Sequence, residues 1–157
     1  IRYLIIGIIT SLIFINQLIT LNTYFESLGK PTKNVAWSEK IYDLIAYTQN
    51  SDKKFVSIDW GIHNALIVFD SKKDKYHNLS FLLRANLSPA EREYVSNEFI
   101  SDTNVLFISH AKGKDFFVNN RKAIENLVEE NGSAIQNKKT FKDESGDVYE
   151  IFSVVTE

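Results

Sequence analysis

Cysteine and methionine are absent from this chain, and proline occurs only twice in 157 residues. Without cysteine there is no disulfide framework, which suits an exported domain that needs none and equally suits a reduced compartment. A basic surplus is missing too. The formal net charge of −2 offers no field for nucleic acid, and no nucleic-acid partner is expected. No internal repeat or low-complexity tract occurs, so a solenoid is excluded. The most telling absence is of charge: from Tyr3 to Leu21 no residue carries one.

What fills that gap is YLIIGIITSLIFINQLITL, long enough to cross a bilayer core as a helix. Three readings compete for it. A cleaved signal peptide needs a basic start, a short apolar core and a small-residue cleavage site, but only Arg2 precedes the run and no such site follows. A core helix needs one polar face, whereas Thr10, Ser11, Asn16, Gln17 and Thr20 are few and uncharged. The sequence therefore predicts a transmembrane helix and its exit over residues 1–27, a linker over 28–35 and a soluble α/β domain over 36–157. Asn16 and Gln17 are costly against lipid and are expected to face other transmembrane helices of a longer parent. A chain opening on Ile1 fits that expectation. Lys30, Lys33 and Lys40 after the run favour the cytoplasm, but half of the flanking charge count is missing, so charge leaves orientation open.

After the linker, Ile41, Leu44, Ile45 and Thr48 share one helical face within residues 36–49. A short β-rich run, 54–59, leads through Trp60-Gly61 into a helix for which Asp59 is the expected N-cap. Residues 76–83 read as a strand or an extended connector. Ser88-Pro89-Ala90-Glu91 forms a capping box with proline at the first helical position, predicting a helix to about Ser101. The apolar run 104–110 reads as a strand buried on both faces. Val118, Ile124, Leu127 and Val128 supply a stripe for the next helix, which Gly132 ends. Residues 133–141 and 148–155 flank a polar turn as a terminal antiparallel hairpin. This order predicts a three-layer α/β domain with a partly parallel sheet and helices on both faces.

In such sheets ligands gather beyond the carboxyl ends of parallel strands. Asp59, Trp60, His63 and Asn64 follow the first strand, and His110, Lys112 and Lys114 follow the third. If those strands are neighbours, the two clusters line one crevice, and Asp59, Trp60, His63, Asn64, His110 and Lys112 are the expected substrate-binding residues. The simpler roles weigh more for several of them: Asp59 as a helix cap, Trp60 as packing. His63 and His110 lack carboxylate or thiolate neighbours at metal-ligand spacing, so no metal site is expected. Lys112-Gly113-Lys114 lacks the spacing and hydroxyl of a phosphate loop. No serine sits in a G-x-S-x-G elbow. Asp143, Glu144 and Asp147 beside Gly146 read as a solvated turn ahead of a calcium site.

A last membrane helix, then EKIYDLIAYTQN, then KFVSIDWGIHNALIVF, closing on GDVYEIFSV, resembles the C-terminal part of bacterial polyprenyl-phosphate-sugar-dependent membrane glycosyltransferases. These are the GT-C class enzymes, protein O-mannosyltransferase-like and aminoarabinose-transferase-like. The resemblance implies a domain on the extracytoplasmic side of a bacterial cytoplasmic membrane. It implies a parent that uses a polyprenyl-phosphate sugar as donor, with its catalytic carboxylate in an upstream loop, so no catalytic residue and no cofactor is assigned to this chain. The domain would cover the site or select a glycan or protein acceptor, with Asp59, Trp60 and His63 nearest the sugar. Two rival readings stand beside it. One is a membrane-anchored binding or assembly domain without enzymatic activity. The other is a tethered α/β enzyme working through Asp59, His63 and His110.

Overall fold

The computed structural model describes residues 7, 10, 11, 13–22, 38–83 and 86–156. The chain divides into two units, Ile1–Asn34 and Val35–Glu157. In the first, residues 13–22 are helical with exposed side chains. Among the described residues no helix is long and apolar enough to cross a membrane. Residues 3–6, 8, 9 and 12 of the predicted span, and the predicted linker 28–35, lie outside the described residues.

The second unit is an α/β domain. Its elements run α1 (Lys40–Gln49), β1 (Lys54–Ser57), α2 (Ile62–Phe69), β2 (Tyr76–Asn78), α3 (Pro89–Val95), β3 (Val105–His110), α4 (Val118–Glu130), β4 (Ser133–Asp143) and β5 (Gly146–Thr156). The five strands form one mixed sheet in the order β2-β1-β3-β5-β4. β1 is parallel to both β2 and β3, while β5 pairs antiparallel with β3 and with β4. The terminal hairpin stands as its alternation predicts.

Alternating side chains divide the core between two faces of the sheet. On one face Val56, Phe107 and Phe152 pack with Val95 and Phe99 and with Ile124, Leu127 and Val128 of α4. On the other, Phe55, Leu106 and Ile151 meet Leu44 and Ile45 of α1 and Ile62 and Leu66 of α2. Helices therefore cover both faces, and all six residues of β3 are buried.

β1 leads through α2 to β2 on one side, and β2 leads through α3 to β3 on the other. The chain thus reverses its direction of travel between β1 and β3. A crevice opens at such a switch point, beyond the carboxyl ends of the two strands.

Several local expectations need correcting. Asp59 does not cap α2; Gly61 occupies that position at φ +83° with no side-chain cap, because Asp59 is drawn into the loop after β3. Val118 is exposed rather than part of the α4 stripe, because the helical period turns it away from the face that Ile124, Leu127 and Val128 share with buried Asn120. Of residues 76–83 only Tyr76–Asn78 form a strand. Asn78 then turns the chain by accepting hydrogen bonds from Ser80 N and Ser80 Oγ. The capping box at Ser88 forms as predicted, and the helix it starts continues from Val95 into a π-helical turn, Ser96–Ile100, that buries Phe99 and Ile100.

Candidate functional site

Parallel pairing of β1 with β3 sets Lys54 beside Val105 and Ser57 beside Ile108. Continuing that register, the residues just past the strands bring Asp59 and His110 together. Asp59 Oδ2 lies 2.6 Å from His110 Nδ1, with both side chains 2% exposed. The same carboxylate accepts hydrogen bonds from Trp60 N at 2.8 Å, Phe116 N at 3.0 Å and Phe117 N at 3.0 Å.

Burial pushes the Asp59 carboxyl up, but the bonds from His110 and the backbone N–H groups outweigh it and hold the group below its ordinary value. An ionised carboxylate only accepts, so the Nδ1–H of His110 donates to it. Asp115, in the same loop, is pushed the opposite way by burial and by the charge of Asp59. Asn120 completes the loop scaffold. Its buried amide donates to Ile58 O at 2.6 Å and Ser80 O at 2.7 Å, joining the ends of β1 and β2 to the start of α4.

His110 lines a pocket of about 330 Å³ together with Ser38, Glu39, Tyr42, Trp60 and Phe69. Ile41, Gly61, Ile62, Ala65 and Tyr149 complete its wall. It lies between α1 and α2 and reaches the sheet's carboxyl edge. Aromatic rings frame it: Tyr42 meets Phe69 edge-on at 5.7 Å, and Trp60 packs on Phe116 at 5.4 Å. Tyr149 stacks near His110, and burial followed by the charge of Asp143 pushes its hydroxyl up to about 12, so it stays a neutral donor.

The two sequence clusters therefore meet, but only in part. Trp60 and His110 reach the pocket, whereas Asp59 is sealed behind His110 as its anchor. His63 lies in the first turn of α2, outside the lining, with Nδ1 buried and unpartnered and its pKa lowered by burial and by His77. Asn64 and Lys112 are exposed and line no part of this pocket. Lys114 donates to Ser145 across to the hairpin turn. Tyr42, Phe69 and Tyr149 were missed, for each sits in an amphipathic pattern that reads as packing.

Chemically, the dyad presents one hydrogen-bonding nitrogen at the base of an aromatic slot. Among the described residues no hydroxyl is hydrogen-bonded to His110, and Ser38 Oγ donates to Asp143 instead. Among the described residues no three His, Cys, Asp or Glu side chains are grouped to hold a metal ion. No family model matches the chain, and no curated protein or solved structure is significantly similar to it.

Proposed function

We propose that this is the acceptor-selecting, non-catalytic domain of a bacterial membrane glycosyltransferase that uses a polyprenyl-phosphate sugar. In this reading residues 3–21 span the cytoplasmic membrane and the α/β domain stands on its extracytoplasmic side. The observation that carries the reading is the pocket. Its aromatic walls, Tyr42, Trp60 and Phe69, stand around the polar groups of Ser38, Glu39 and His110. A sugar ring needs that mixture: an apolar face to stack on an aromatic, and hydroxyls to donate to a carboxylate and an imidazole nitrogen. The resemblance carried by Asp59-Trp60-Gly61 and by Gly146–Val154 supplies the class of reaction.

The test uses the complete reading frame in liposomes, measuring sugar transfer and donor cleavage separately. Trp60→Ala and His110→Ala are expected to lower transfer at least tenfold while donor cleavage persists. A folded variant that cannot cleave the donor would move the chemistry into this domain and defeat the proposal. Unchanged transfer in both variants would defeat it as well. A second reading is an anchored binding or assembly domain with no transferase parent. Lack of any donor cleavage by the complete frame would select it.

A further inference from the structure

The three loops at the carboxyl edge of the parallel strands each present a large apolar side chain to solvent. Trp60 after β1 is 39% exposed, Phe81 after β2 is 59% exposed, and Phe116 and Val118 after β3 are 42% and 73% exposed. They include two ring pairs on neighbouring loops: Trp60 packs on Phe116 at 5.4 Å, and Phe81 packs on the next residue, Phe117, at 5.7 Å. Surface aromatics scattered singly need no explanation, but a contiguous row does.

The row is also rigidly mounted. The buried carboxylate of Asp59 holds the backbone N–H groups of Trp60, Phe116 and Phe117, and Asn120 ties the turn before Phe81 to the end of β1. Ordering these tips costs conformational entropy that packing inside the domain does not return. Such preorganisation lowers the cost of contact with something outside it.

We propose that this aromatic crest seats in the interfacial layer of the lipid bilayer. The inference rests on the reading of residues 3–21 as a membrane span. Two observations choose lipid as the occupant. The same chain carries the apolar run Tyr3–Leu21. Ser38, near the start of the second unit, lies in the pocket with Trp60 and donates a hydrogen bond to Asp143 beside the hairpin turn. The side chains themselves, indole and phenyl, suit the boundary between headgroups and acyl chains. Nearby charge is mixed: Lys114 reaches the hairpin turn at Ser145 and meets Asp143, and Asp115 shares its loop. The contact is therefore apolar rather than a basic patch on anionic lipid, and it holds the mouth of the pocket at headgroup level.

The experiment uses the whole chain in phosphatidylcholine liposomes, with Trp37→Phe leaving Trp60 as the sole tryptophan. Brominated phosphatidylcholine is expected to quench Trp60 emission by at least half, with acrylamide largely excluded. Salt at about 1 M, where the Debye length is about 3 Å, should leave that unchanged. Phe81→Ser with Val118→Ser, both exposed, should lower lipid quenching at least twofold. Quenching by acrylamide alone would overturn the proposal. Shielding from both quenchers would overturn it too, in favour of a protein partner or a second copy. Alkaline carbonate extraction reads the span separately. A chain that resists extraction with Trp60 unquenched by lipid keeps the span and loses the crest. A chain that is extracted, yet was quenched by lipid beforehand, keeps the crest and loses the span.

Discussion

Asp59 carries more of the site than any other residue, although it never reaches the pocket. It receives one imidazole and three backbone N–H groups, so an amide in its place would point donors at donors. Asp59→Asn is expected to cost about 3 kcal/mol of unfolding free energy, as loss of one member of a buried pair does. A double-mutant cycle with His110→Asn should show coupling of about 1 kcal/mol or more, read by urea unfolding. A coupling near zero would show that the two side chains do not act as a unit. Acid should unfold the domain through such carboxylates. Asp70 is held down to about 2 from an ordinary 3.8, chiefly by the Tyr76 hydroxyl at 2.6 Å, with Lys72 N and Lys75 adding to it. A carboxyl that ionises more readily when folded stabilises the fold above its unfolded value, and that share is lost as pH falls through the folded one. Asp70→Asn should therefore flatten the decline in stability between 3.8 and about 2, measured as urea midpoints across that range.

Among the elements, α3 depends most visibly on local chemistry. Ser88 Oγ accepts from Glu91 N while the Glu91 carboxylate takes Ser88 N at 2.8 Å, and Pro89 opens the first turn. Ser88→Ala is expected to cost about 1 kcal/mol, and an unchanged denaturation midpoint would refute that role for the cap. This signature was legible in the sequence because all its parts lie within four residues. The α2 start was not, because Asp59 had two uses open to it and the deciding partners, Phe116 and Phe117, lie far along the chain. Val118 misled for a different reason: its apolar side chain suggested the stripe, but the helical period sets it on another face from Ile124, Leu127 and Val128.

For the molecule as a whole, the core and the exposed wall of the site make different demands. Phe107 is fully buried and stacks on Phe152 at 5.4 Å, so Phe107→Ala should cost about 3–5 kcal/mol in thermal or urea unfolding. Trp60→Ala, at a half-exposed loop tip, should shift the midpoint far less while removing one wall of the pocket. A comparable loss of stability in both variants would place Trp60 in the core and weaken its role in binding. The sheet edge that bears the pocket thus combines buried residues that hold the fold, Asp59 and His110, with an exposed one, Trp60, that the fold does not need.

Read alone, the sequence determined the elements and their class. Period, capping and turn residues act over a few positions, so the alternation of strands and helices and the closing hairpin follow from local rules. It also marked Asp59, Trp60 and His110 as residues expected at strand ends. Tertiary structure decided which of them meet. Strand order 2-1-3-5-4 puts β1 beside β3, so Asp59 buries itself against His110, while His63, Asn64 and Lys112 fall outside the pocket. Pairing between distant strands depends on the burial of the entire sheet, and no short window of residues encodes that sum.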